Sequence, residues 1–586
     1  MFDHWVTAGL VPLAVWIVLS GLDDLFIGLV RLLRAGDRFP WPSESALDLL
    51  DERPIAVFVP LWNEHAVIGR MLDRNLAAIR YRDYRVFAGV YPNDEPTTRA
   101  VEDAAGRHDR VEVAHCPRSG PTSKGDCLNS IYLEMLEYER RNGVRFQVMV
   151  IHDAEDVIHP DSLRLINWFS REYDMVQIPV LPLPTSAGEF THGIYCDEFA
   201  EFQSKDIPVR RMLGGFLPSN GVGTGFSRDA MERLAAQRGG PMFAPECLTE
   251  DYETGYELHK LGCPQIFVPL RRDGAGPVAT REYFPRRWRA AVRQRSRWVA
   301  GIALQAWQRH GWRTTWRQRY WFARDRKGLI GNLLTPLAAL ALVHGLLGWR
   351  TSGGTHPVWL AYLYCLTLPI TVAQAAMRMG FSARIYGWRF AAAAPLRMLW
   401  GNLVNYAATL AAVRQFAQAR RLGRSLAWRK TQHVYPAHQP ADSGRPRIGE
   451  MLVRLRVIES RLVDWADANR PEGSRLGEFL VRAGFVSEDD LYRALSEQAG
   501  VPLGPPPAAD VDPLATRLLP ASAVRRFHVL PYRVDLGQLH LATDELPSEK
   551  MTRNLAAFST LPPRFRLVSP REFDRLADRY LPQHPR

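Results

Sequence analysis

The sequence predicts an α/β domain with a mostly parallel sheet, joined to transmembrane helices and to a C-terminal domain that contains a repeated helical motif. Three observations lead to this fold class. Short apolar runs alternate with helical stretches over residues 50–320, long uncharged segments flank that region, and a helical motif recurs within residues 445–586. A chain of 586 residues also exceeds the size of one compact domain, so several units are expected.

Three uncharged segments are long enough to cross roughly 30 Å of hydrocarbon. The first, 5–22, lies within a predicted N-terminal transmembrane helix over residues 1–33. The other two, 328–348 and 358–377, are joined by a short connection and form a predicted transmembrane hairpin. No basic region precedes the first segment and no small-residue cleavage site is evident, so we expect a retained span rather than a signal peptide.

Basic residues flank the three spans on one side, which the positive-inside rule assigns to the cytoplasm. They are Arg31, Arg34 and Arg38 after the first span, Arg324, Arg326 and Lys327 before the second, and Arg378 after the third. The two large soluble regions are then both cytoplasmic. A fourth span over residues 389–413 would bury Arg397 in lipid at a cost of about 2.5–3.5 kcal/mol. We therefore expect interfacial or re-entrant helices and a linker over residues 385–432.

The composition is that of a folded protein, with 46% hydrophobic residues, 23% charged residues and a net charge of +12. A basic chain can bind nucleic acid, but the sequence holds no nucleic-acid-binding motif and its Arg residues cluster beside apolar segments. We therefore expect no nucleic-acid partner. The six cysteines have no CxxC spacing, which argues against a zinc site and a disulfide framework and fits a reducing cytoplasm.

The alternation over residues 50–320 indicates β–α repetition, with helices on both faces of the sheet. The apolar runs are IAVFVPL (55–61), YRVFAGVYP (84–92), FQVMVI (146–151) and DMVQIPVLP (174–182). Ligands bind beyond the carboxyl ends of the strands in such sheets. Polar clusters follow three of the runs at those ends: NE at 63–64, NDEPT at 93–97 and HDAED at 152–156.

The acidic cluster after the third run is the first candidate site. The alternation in D-A-E points Asp153 and Glu155 to one side and turns Asp156 away. Two hard oxygen donors at that spacing suit Mg²⁺ or Mn²⁺, which can also bridge a pyrophosphate. The plainer interpretation is a solvated turn or helix cap. His152 and His159 flank the cluster, and we expect them to pack beside it rather than to bind a metal.

Six short motifs occur in a fixed order: VPLWNE (59–64), ND (93–94), SKGDCLN (123–129), DAED (153–156), TED (249–251) and QRSRW (294–298). Together they resemble the motifs of processive, membrane-bound glycosyltransferases of family 2. The resemblance covers residues 50–310 and continues into the membrane hairpin. It implies a GT-A-type, Rossmann-like fold, a nucleotide-sugar donor and a glycan acceptor. Six motifs in the right order are far more specific than any one of them.

The resemblance implies a donor site and a metal site. The residues at the nucleotide part of the donor would be Asn63, Glu64, Asp94, Lys124, Asn129 and Asp153, with Asp94 on the base. Asp153 and Glu155 match the D-x-D element that holds Mg²⁺ or Mn²⁺ on the diphosphate. Two departures from the family pattern are visible, since Glu155 stands where Asp is usual and NDEPT replaces the DDxSxD form around Asp94.

The same resemblance implies the catalytic and acceptor residues. Asp251 matches the catalytic base, and Glu250 lies beside it. Gln294, Arg297 and Trp298 match the Q-x-x-R-W element that shapes the acceptor site and contacts the diphosphate, and the Gly-rich stretch over 221–231 lines the acceptor channel. A sugar hydroxyl is a poor nucleophile, so a carboxylate must take its proton as it attacks. One base opposite the leaving group predicts a single displacement with inversion.

A repeat marks the C-terminal region. RIGEMLVR (447–454) and RLGEFLVR (475–482) are identical at six of eight positions. The plain interpretation is a duplicated helical packing unit. The second copy, continued to residue 498, resembles the tandem motif of the N-terminal domain of type II secretion ATPases, the MshEN domain, and residues 518–545 resemble its small α/β half.

The MshEN resemblance implies that the domain binds cyclic di-GMP, which would act as an allosteric activator. The residues implied are Arg447, Gly449 and Leu452 in the first copy, and Arg475, Leu476, Gly477, Leu480, Gly484, Leu491, Leu495 and Gln498 in the second. The family's Arg contacts guanine and phosphate, its Gly allows close backbone approach, and its apolar residues lie under the purine. The first copy is degraded, with Arg456 where Gly is expected and Arg470 where Gln is expected.

The whole arrangement resembles the bacteriophage adsorption protein B family. The resemblance implies a multi-pass protein of the bacterial inner membrane that uses a nucleotide sugar, with UDP-sugars favoured, to build a secreted surface polysaccharide. Its implied partners are inner-membrane lipid, cyclic di-GMP and an outer-membrane export protein. The alternative is a non-catalytic membrane scaffold or phage-uptake component. Loss of the acidic motifs would favour that alternative, and all of them are present. The sugar, the acceptor and the linkage stay open.

Overall fold

The computed structural model separates two compact units, Met1–Ala437 and His438–Arg586. It describes residues 2–581 except 35, 37–38, 271–276, 339–357, 424–434, 436–447, 456, 460–461, 464, 467–474, 536, 548–550, 553–554, 556–557 and 560. Each unit has its own apolar core. The domain limits expected from the sequence stay predictions.

A seven-stranded, mostly parallel sheet forms the centre of the first unit. Its strands lie in the order β3-β2-β1-β4-β7-β5-β8. Only β7 runs antiparallel, to both β4 and β5. The strands of this unit are β1 (Ile55–Pro60), β2 (Tyr84–Val90), β3 (Val111–His115), β4 (Val148–Ile151), β5 (Met175–Gln177), β6 (Val180–Pro182), β7 (Thr224–Ser227), β8 (Gln265–Phe267) and β9 (Thr280–Glu282), with β6 and β9 paired separately.

Helices cover both faces of this sheet, which explains why its strands are apolar on both sides. In β1, Ile55, Val57 and Val59 belong to one core, and the alternating Ala56 and Phe58 belong to the other. The helices are α1 (Phe2–Leu33), α2 (Glu44–Asp48), α3 (Ile68–Ala78), α4 (Glu95–Arg107), α5 (Lys124–Asn142), α6 (Ser162–Phe169), α7 (Phe190–Glu201), α8 (Ile207–Met212), α9 (Arg228–Arg238), α10 (Glu250–Lys260), α11 (Trp288–Trp298), α12 (Ala306–His310), α13 (Trp316–Arg326), α14 (Val358–Tyr386), α15 (Trp388–Ala391) and α16 (Ala394–Arg421). π-Helical turns occupy Phe202–Asp206 and Val299–Gln305.

Within the described residues, one helical segment, Pro12–Leu33 of α1, is long and apolar enough to cross a membrane. Gly28 of α1 lies so close to α14 that a Cβ there would be 2.7 Å from the sulfur of Met377. Asp23, which interrupts the apolar run, faces protein and pairs with Lys327 at 2.9 Å. The predicted span 328–348 lies outside the described residues from 339 onward, so the multi-pass arrangement stays a prediction.

The predicted interfacial segment forms α16, which packs against α7 and α11. Arg397 is completely buried there, and its guanidinium donates to both carboxylate oxygens of Asp197, at 2.7 and 2.9 Å. The lipid cost that Arg397 would otherwise carry is therefore offset by a protein carboxylate. The sequence did not indicate this partner, because the two residues are 200 positions apart.

The second unit combines short helices with a three-stranded sheet. Strands β10 and β11 are antiparallel, and β11 and β12 are parallel. Its elements are α17 (Ile448–Arg454), α18 (Leu476–Arg482), α19 (Glu488–Ala499), α20 (Ala521–Phe527), β10 (Val529–Asp535), β11 (Gln538–Thr543), β12 (Pro563–Leu567) and α21 (Pro570–Tyr580), with 3₁₀ turns at Ala508–Asp510 and Ala515–Arg517.

The repeated motif of this unit is largely used for packing. A Cβ on Gly449 would be 2.6 Å from Val463, and a Cβ on Gly477 would be 2.6 Å from Leu491. The sequence resemblance implied that these glycines leave space for a ligand. In the structure, the space beside each glycine is filled by a side chain of a neighbouring helix. The equivalent leucines Leu452 and Leu480 are fully buried in the same core, as is most of Leu491. Leu476 and Leu495 pack against it.

The remaining motif residues of the second unit are more accessible. The Arg475 side chain is 85% exposed and, among the residues that the structure describes, pairs with Glu478 at 3.7 Å. Gly484 has φ +75° and open space around its Cα. The backbone conformation of the turn therefore favours glycine there, whereas packing does not. Gln498 lies near the end of α19. Arg447, Arg456 and Arg470 lie outside the described residues.

Candidate active site

A cavity that is open to solvent, with about 1020 Å³ of empty space when the solvent at its mouth is included, lies at the carboxyl edge of β1 and β4, where the sequence placed its polar clusters. We call it the edge cavity. It is lined by Pro60, Leu61, Trp62, Glu64, Tyr91, Pro121, Thr122, Ser123, Lys124, Cys127, Asp153, Ala154, Glu155, Asn220, Val222, Leu248, Thr249, Glu250, Asp251, Glu282, Phe284, Gln294, Arg297 and Trp298. Nine of the predicted catalytic, donor, acceptor and metal residues are among them.

Lys124 supplies the positive charge that the clustered carboxylates require. It begins α5, whose N-cap Ser123 accepts a hydrogen bond from the backbone of Asp126 at 3.1 Å. Its Nζ lies 2.6 Å from Asp153 Oδ1 and donates to the Gly221 carbonyl at 3.1 Å. Burial opposes the charge on Lys124, but Asp153 and Glu250 outweigh it and raise the pKa of this amine. Lys124 is therefore a fixed cation.

The D-A-E-D loop divides its side chains as the alternation predicts. Asp153 and Glu155 line the edge cavity, whereas Asp156 is buried and accepts hydrogen bonds from the Asp153 backbone at 3.0 Å and from the His152 ring, whose Nδ1 is 2.7 Å away. Burial lowers the pKa of His152 to about 3, so this ring is neutral. His152 thus supports the loop from behind, in agreement with the packing role expected for it.

Glu250 and Asp251 begin α10 and face the same cavity. Burial, together with the neighbouring Asp251, raises the pKa of Glu250 to about 7. Burial also raises the pKa of Asp251, against the opposing effect of Lys124. The Asp251 carboxylate lies against Gly221, where a Cβ would be 2.7 Å from Oδ2, and φ at Gly221 is +76°. Both the contact and the backbone conformation require glycine in this stretch.

Helix α11 brings the Q-x-x-R-W residues to the opposite wall. Gln294 is 8% exposed, and Arg297 and Trp298 lie beside it in the lining. Within the described residues, Gln294 Oε1 and Arg297 Nε are buried and have no hydrogen-bond partner. The π-helical turn after Trp298 carries Gly301, whose missing side chain lets Thr249 pack directly against it. The acceptor motif and the TED motif are thus held together.

Three predicted donor residues, Asn63, Asp94 and Asn129, are not part of the cavity lining. The Asp94 carboxylate accepts a hydrogen bond from the backbone N–H of Asn63, a residue with φ of +57°. Asn129 donates to the Phe243 carbonyl at 2.8 Å and accepts from the Phe243 N–H at 3.0 Å. Both polar atoms of this amide therefore bind backbone, and Asn129 joins α5 to the loop that contains Phe243. Glu64 does reach the lining.

Several lining residues were not predicted. Trp62 packs edge-on against Tyr91, with ring centroids 5.4 Å apart, and Asn220 and Glu282 line other walls. The Gly120–Pro121 peptide is cis, and Asn93 exchanges two 2.7 Å hydrogen bonds with Gly120. Trp62 lies inside the VPLWNE motif and could have been inferred from it. No sequence signal singled out Asn220 or Glu282.

The edge cavity can accept a polyanion and a nucleophile side by side. Asp153 and Glu155 offer hard oxygen donors, which fit Mg²⁺ or Mn²⁺. Among the described residues, a cluster of three potential ligands occurs only elsewhere, at Glu253, Glu257 and His310. Two of these side chains are engaged by arginines, Glu253 by Arg309 and Glu257 by Arg238, so that cluster is an ion-pair network.

Family models agree with this architecture. The model for glycosyltransferase-like family 2 matches residues 53–301, and the MshEN domain model matches residues 499–586. The first unit is thus a family 2 glycosyltransferase domain with a GT-A-like fold, and the second contains an MshEN domain. The fold class predicted from the sequence is confirmed.

A full-length relative narrows the class. The chain is 36% identical to bacteriophage adsorption protein B of Escherichia coli K12 over 569 residues, which cover 91% of this chain and 76% of the relative. The chain belongs to the bacteriophage adsorption protein B family, as the motifs predicted. Among solved structures it is similar to a mannosyltransferase from Pyrobaculum calidifontis in complex with GDP-Man and Mn²⁺, at 18% identity and TM-score 0.41, over 66% of this chain and 99% of that one. A second similar structure is MshE with cyclic di-GMP, at 27% identity and TM-score 0.22, over 23% of this chain and 99% of that one.

Proposed function

We propose that the chain is an inverting glycosyltransferase of the bacterial inner membrane that transfers sugar from a nucleotide-sugar donor, a UDP-sugar, to a growing surface polysaccharide. One observation carries this proposal. A fixed cation, Lys124, the buried Glu250 and the partly buried Asp251 share one solvent-open cavity with the acidic Asp153 and Glu155. Such a site suits a reaction in which a diphosphate leaves as a hydroxyl loses its proton.

In the proposed reaction, Asp251 accepts the proton of the acceptor hydroxyl as its oxygen attacks the anomeric carbon. The bond between that carbon and the diphosphate oxygen breaks on the opposite face, which inverts the configuration. Lys124 and Arg297 stabilise the charge that develops on the leaving diphosphate. Asp153 and Glu155 would hold Mg²⁺ or Mn²⁺, which when bound neutralises charge on the same diphosphate. Gln294 and Trp298 orient the acceptor.

The nucleobase end of the donor has a natural place near Trp62 and Tyr91. Both rings line the edge cavity, and the Tyr91 hydroxyl lies 2.6 Å from Thr122 Oγ1. Asp94 and Asn129 act one layer further out in this proposal, by fixing the backbone of Asn63 and of Phe243. These two residues are therefore positioning residues for the donor and do not touch it.

The test of the proposed reaction is a screen of radiolabelled UDP-sugars with the full-length protein in native membranes. Transfer of label to polymer by the wild type, and loss of transfer in Asp251→Asn with UDP binding retained, is the expected result. Equal turnover in the variant would overturn the assignment of the base. Binding of no nucleotide sugar by the wild type would favour the scaffold alternative.

We further propose that cyclic di-GMP activates the enzyme through the second unit. The MshEN model matches residues 499–586, directly after the second repeat, and within that repeat Arg475 is exposed and Gly484 forms a turn; these observations support the proposal. Calorimetry with cyclic di-GMP and the full-length protein tests this directly. Heat that saturates at one ligand stoichiometry and disappears in Arg475→Ala is expected, and the absence of heat in the wild type would remove this part of the proposal.

A further inference from the structure

Two cysteine thiols meet at the wall of the edge cavity. Cys116 follows β3, Cys127 lies in the first turn of α5, and their sulfurs are 3.6 Å apart. Both are buried, and Cys127 is one of the residues that line the cavity. A Cβ on Gly89 would be 2.7 Å from Cys127 Sγ, so glycine at that position creates the space in which the sulfur lies.

The contact makes the pair chemically unequal. Interaction with Cys127 lowers the pKa of Cys116, whereas burial and the same contact raise the pKa of Cys127. The pair therefore holds one thiolate more readily than an isolated buried cysteine does, and the thiolate is the reactive form. A disulfide has an S–S bond of about 2.05 Å, so the two sulfurs must approach by about 1.5 Å to form one.

We propose that Cys116 and Cys127 form a reversible redox site that disables the edge cavity when a peroxide oxidises it. The thiolate attacks the O–O bond of the peroxide, which yields a sulfenic acid and releases water once the departing hydroxide is protonated. The second thiol then attacks the sulfenic sulfur, which forms the disulfide and releases a second water. Two thiols lose two electrons, and one hydrogen peroxide becomes two waters.

The position of Cys127 on α5 explains why the disulfide would act on the site. Lys124 lies one turn before it, and the 2.6 Å contact between Lys124 and Asp153 depends on the placement of that first turn. Drawing Cys127 toward β3 shifts the turn and separates the two charges. Oxidation therefore weakens binding of a diphosphate. This consequence rests on the proposed function, whereas the formation of the disulfide does not.

The experiment treats the full-length protein with hydrogen peroxide, blocks remaining thiols with N-ethylmaleimide and analyses a tryptic digest by mass spectrometry. Trypsin releases the two cysteines in separate peptides, VEVAHCPR (111–118) and GDCLNSIYLEMLEYER (125–140). A cross-linked pair of these peptides, removed by dithiothreitol, is expected. Binding of UDP with Mn²⁺, measured on the same samples, is expected to weaken about tenfold on oxidation and to recover on reduction.

Matched variants separate a specific site from general oxidation. Cys116→Ser should keep UDP binding in the reduced state and lose its sensitivity to peroxide, with Cys116→Ala as the second variant if serine impairs folding. Cys263→Ser changes another buried cysteine, away from the cavity, and should remain as sensitive as the wild type. Bound UDP should slow the cross-link.

Three outcomes decide the proposal. Absence of the cross-linked peptide from the folded wild type would overturn it, and so would a cross-link that leaves UDP binding unchanged. If the reduced wild type binds no UDP, the proposed function fails for this donor. The thiol site is then judged by the peptide alone, and a cross-link that forms faster in the folded than in the unfolded wild-type protein sustains it.

Discussion

The edge cavity and the C-terminal repeat both carry motif residues that the sequence marks for binding, but the two regions use them differently. In the cavity, charged residues from α5, α10, α11, β9 and the loops after β1 and β4 face one solvent-open space. In the repeat, Gly449, Gly477 and Leu480 are used for contacts between helices. The difference follows from physical chemistry, because charged groups gathered together need a ligand or a counter-charge, whereas apolar residues satisfy a core equally well. Charged motifs therefore report function more reliably than apolar ones.

Asp251→Asn tests the cavity side of this comparison most strongly. An amide cannot take a proton from the acceptor hydroxyl, so we expect transfer to fall by about 10³-fold. The Kd for UDP should change little, because the proposed partner of Asp251 is the acceptor hydroxyl and not the nucleotide. Steady-state transfer and equilibrium binding of UDP on the same preparation measure both quantities. A parallel loss of binding would instead make Asp251 a donor residue.

Gly221→Ala alters the same carboxylate without touching its charge. The new methyl group would be 2.7 Å from Asp251 Oδ2, at a backbone φ of +76°. We expect the displaced base to reduce kcat about 10²-fold, since small errors in the position of a catalytic group are costly. Gly239→Ala is the control, because its φ is +78° and its surroundings are open. Similar losses in both variants would point to backbone strain rather than to Asp251.

Gly477→Ala and Gly484→Ala test the packing role assigned to the repeat. The first adds a methyl group against Leu491 and should lower the free energy of unfolding of the second unit by about 1–3 kcal/mol. The second has open space and a positive φ, so we expect a loss of about 1–2 kcal/mol from backbone conformation alone.

Urea unfolding of a 438–586 fragment measures these losses, and calorimetry with cyclic di-GMP measures ligand affinity in each variant. Loss of affinity in Gly477→Ala without loss of stability would contradict the packing role. It would favour the ligand contact expected from the sequence.

Glu250→Gln tests the carboxylate pair through pH. The pKa of Glu250 is about 7, raised by burial and by Asp251, so ionisation of the pair is incomplete below neutral pH. Glutamine removes one negative charge, so Asp251 should ionise at lower pH and the acid limb of the kcat/KM profile should move down. We expect about tenfold higher relative activity at pH 6 than in the wild type, each normalised to its maximum. An unmoved acid limb would show that the two carboxylates titrate independently.

The sequence predicted the parts of the site whose chemistry is unambiguous. Lys124, Asp153 and Asp251 come from motifs in which charge has to be retained, and all three meet in the cavity. Asn129 was predicted for the same region but binds the Phe243 backbone, because an amide can serve a ligand or a loop and spacing does not distinguish them. Arg397 could not be paired with Asp197 from local pattern, since only the tertiary fold joins α16 to α7.

The fold was more predictable than the orientation of individual side chains. Apolar runs of the right length specify strands buried on both faces, and β1, β2 and β4 formed where the runs lie. The antiparallel placement of β7 between β4 and β5 was not predicted, because local sequence carries little information on strand order. Trp62 and Asn220 likewise line the edge cavity because of the tertiary fold, which local sequence does not specify.

The most direct test of the central claim is the dependence of UDP binding on a divalent cation. We predict that the full-length protein binds UDP in the presence of Mn²⁺, that EDTA abolishes most of this binding, and that Asp153→Asn removes the dependence on Mn²⁺. Glu155→Asp, which keeps the charge and shortens the reach, should retain the dependence with reduced affinity. Binding of UDP that is equally tight with and without Mn²⁺, in the wild type and in Asp153→Asn, would contradict the assignment of the edge cavity as a metal-assisted donor site.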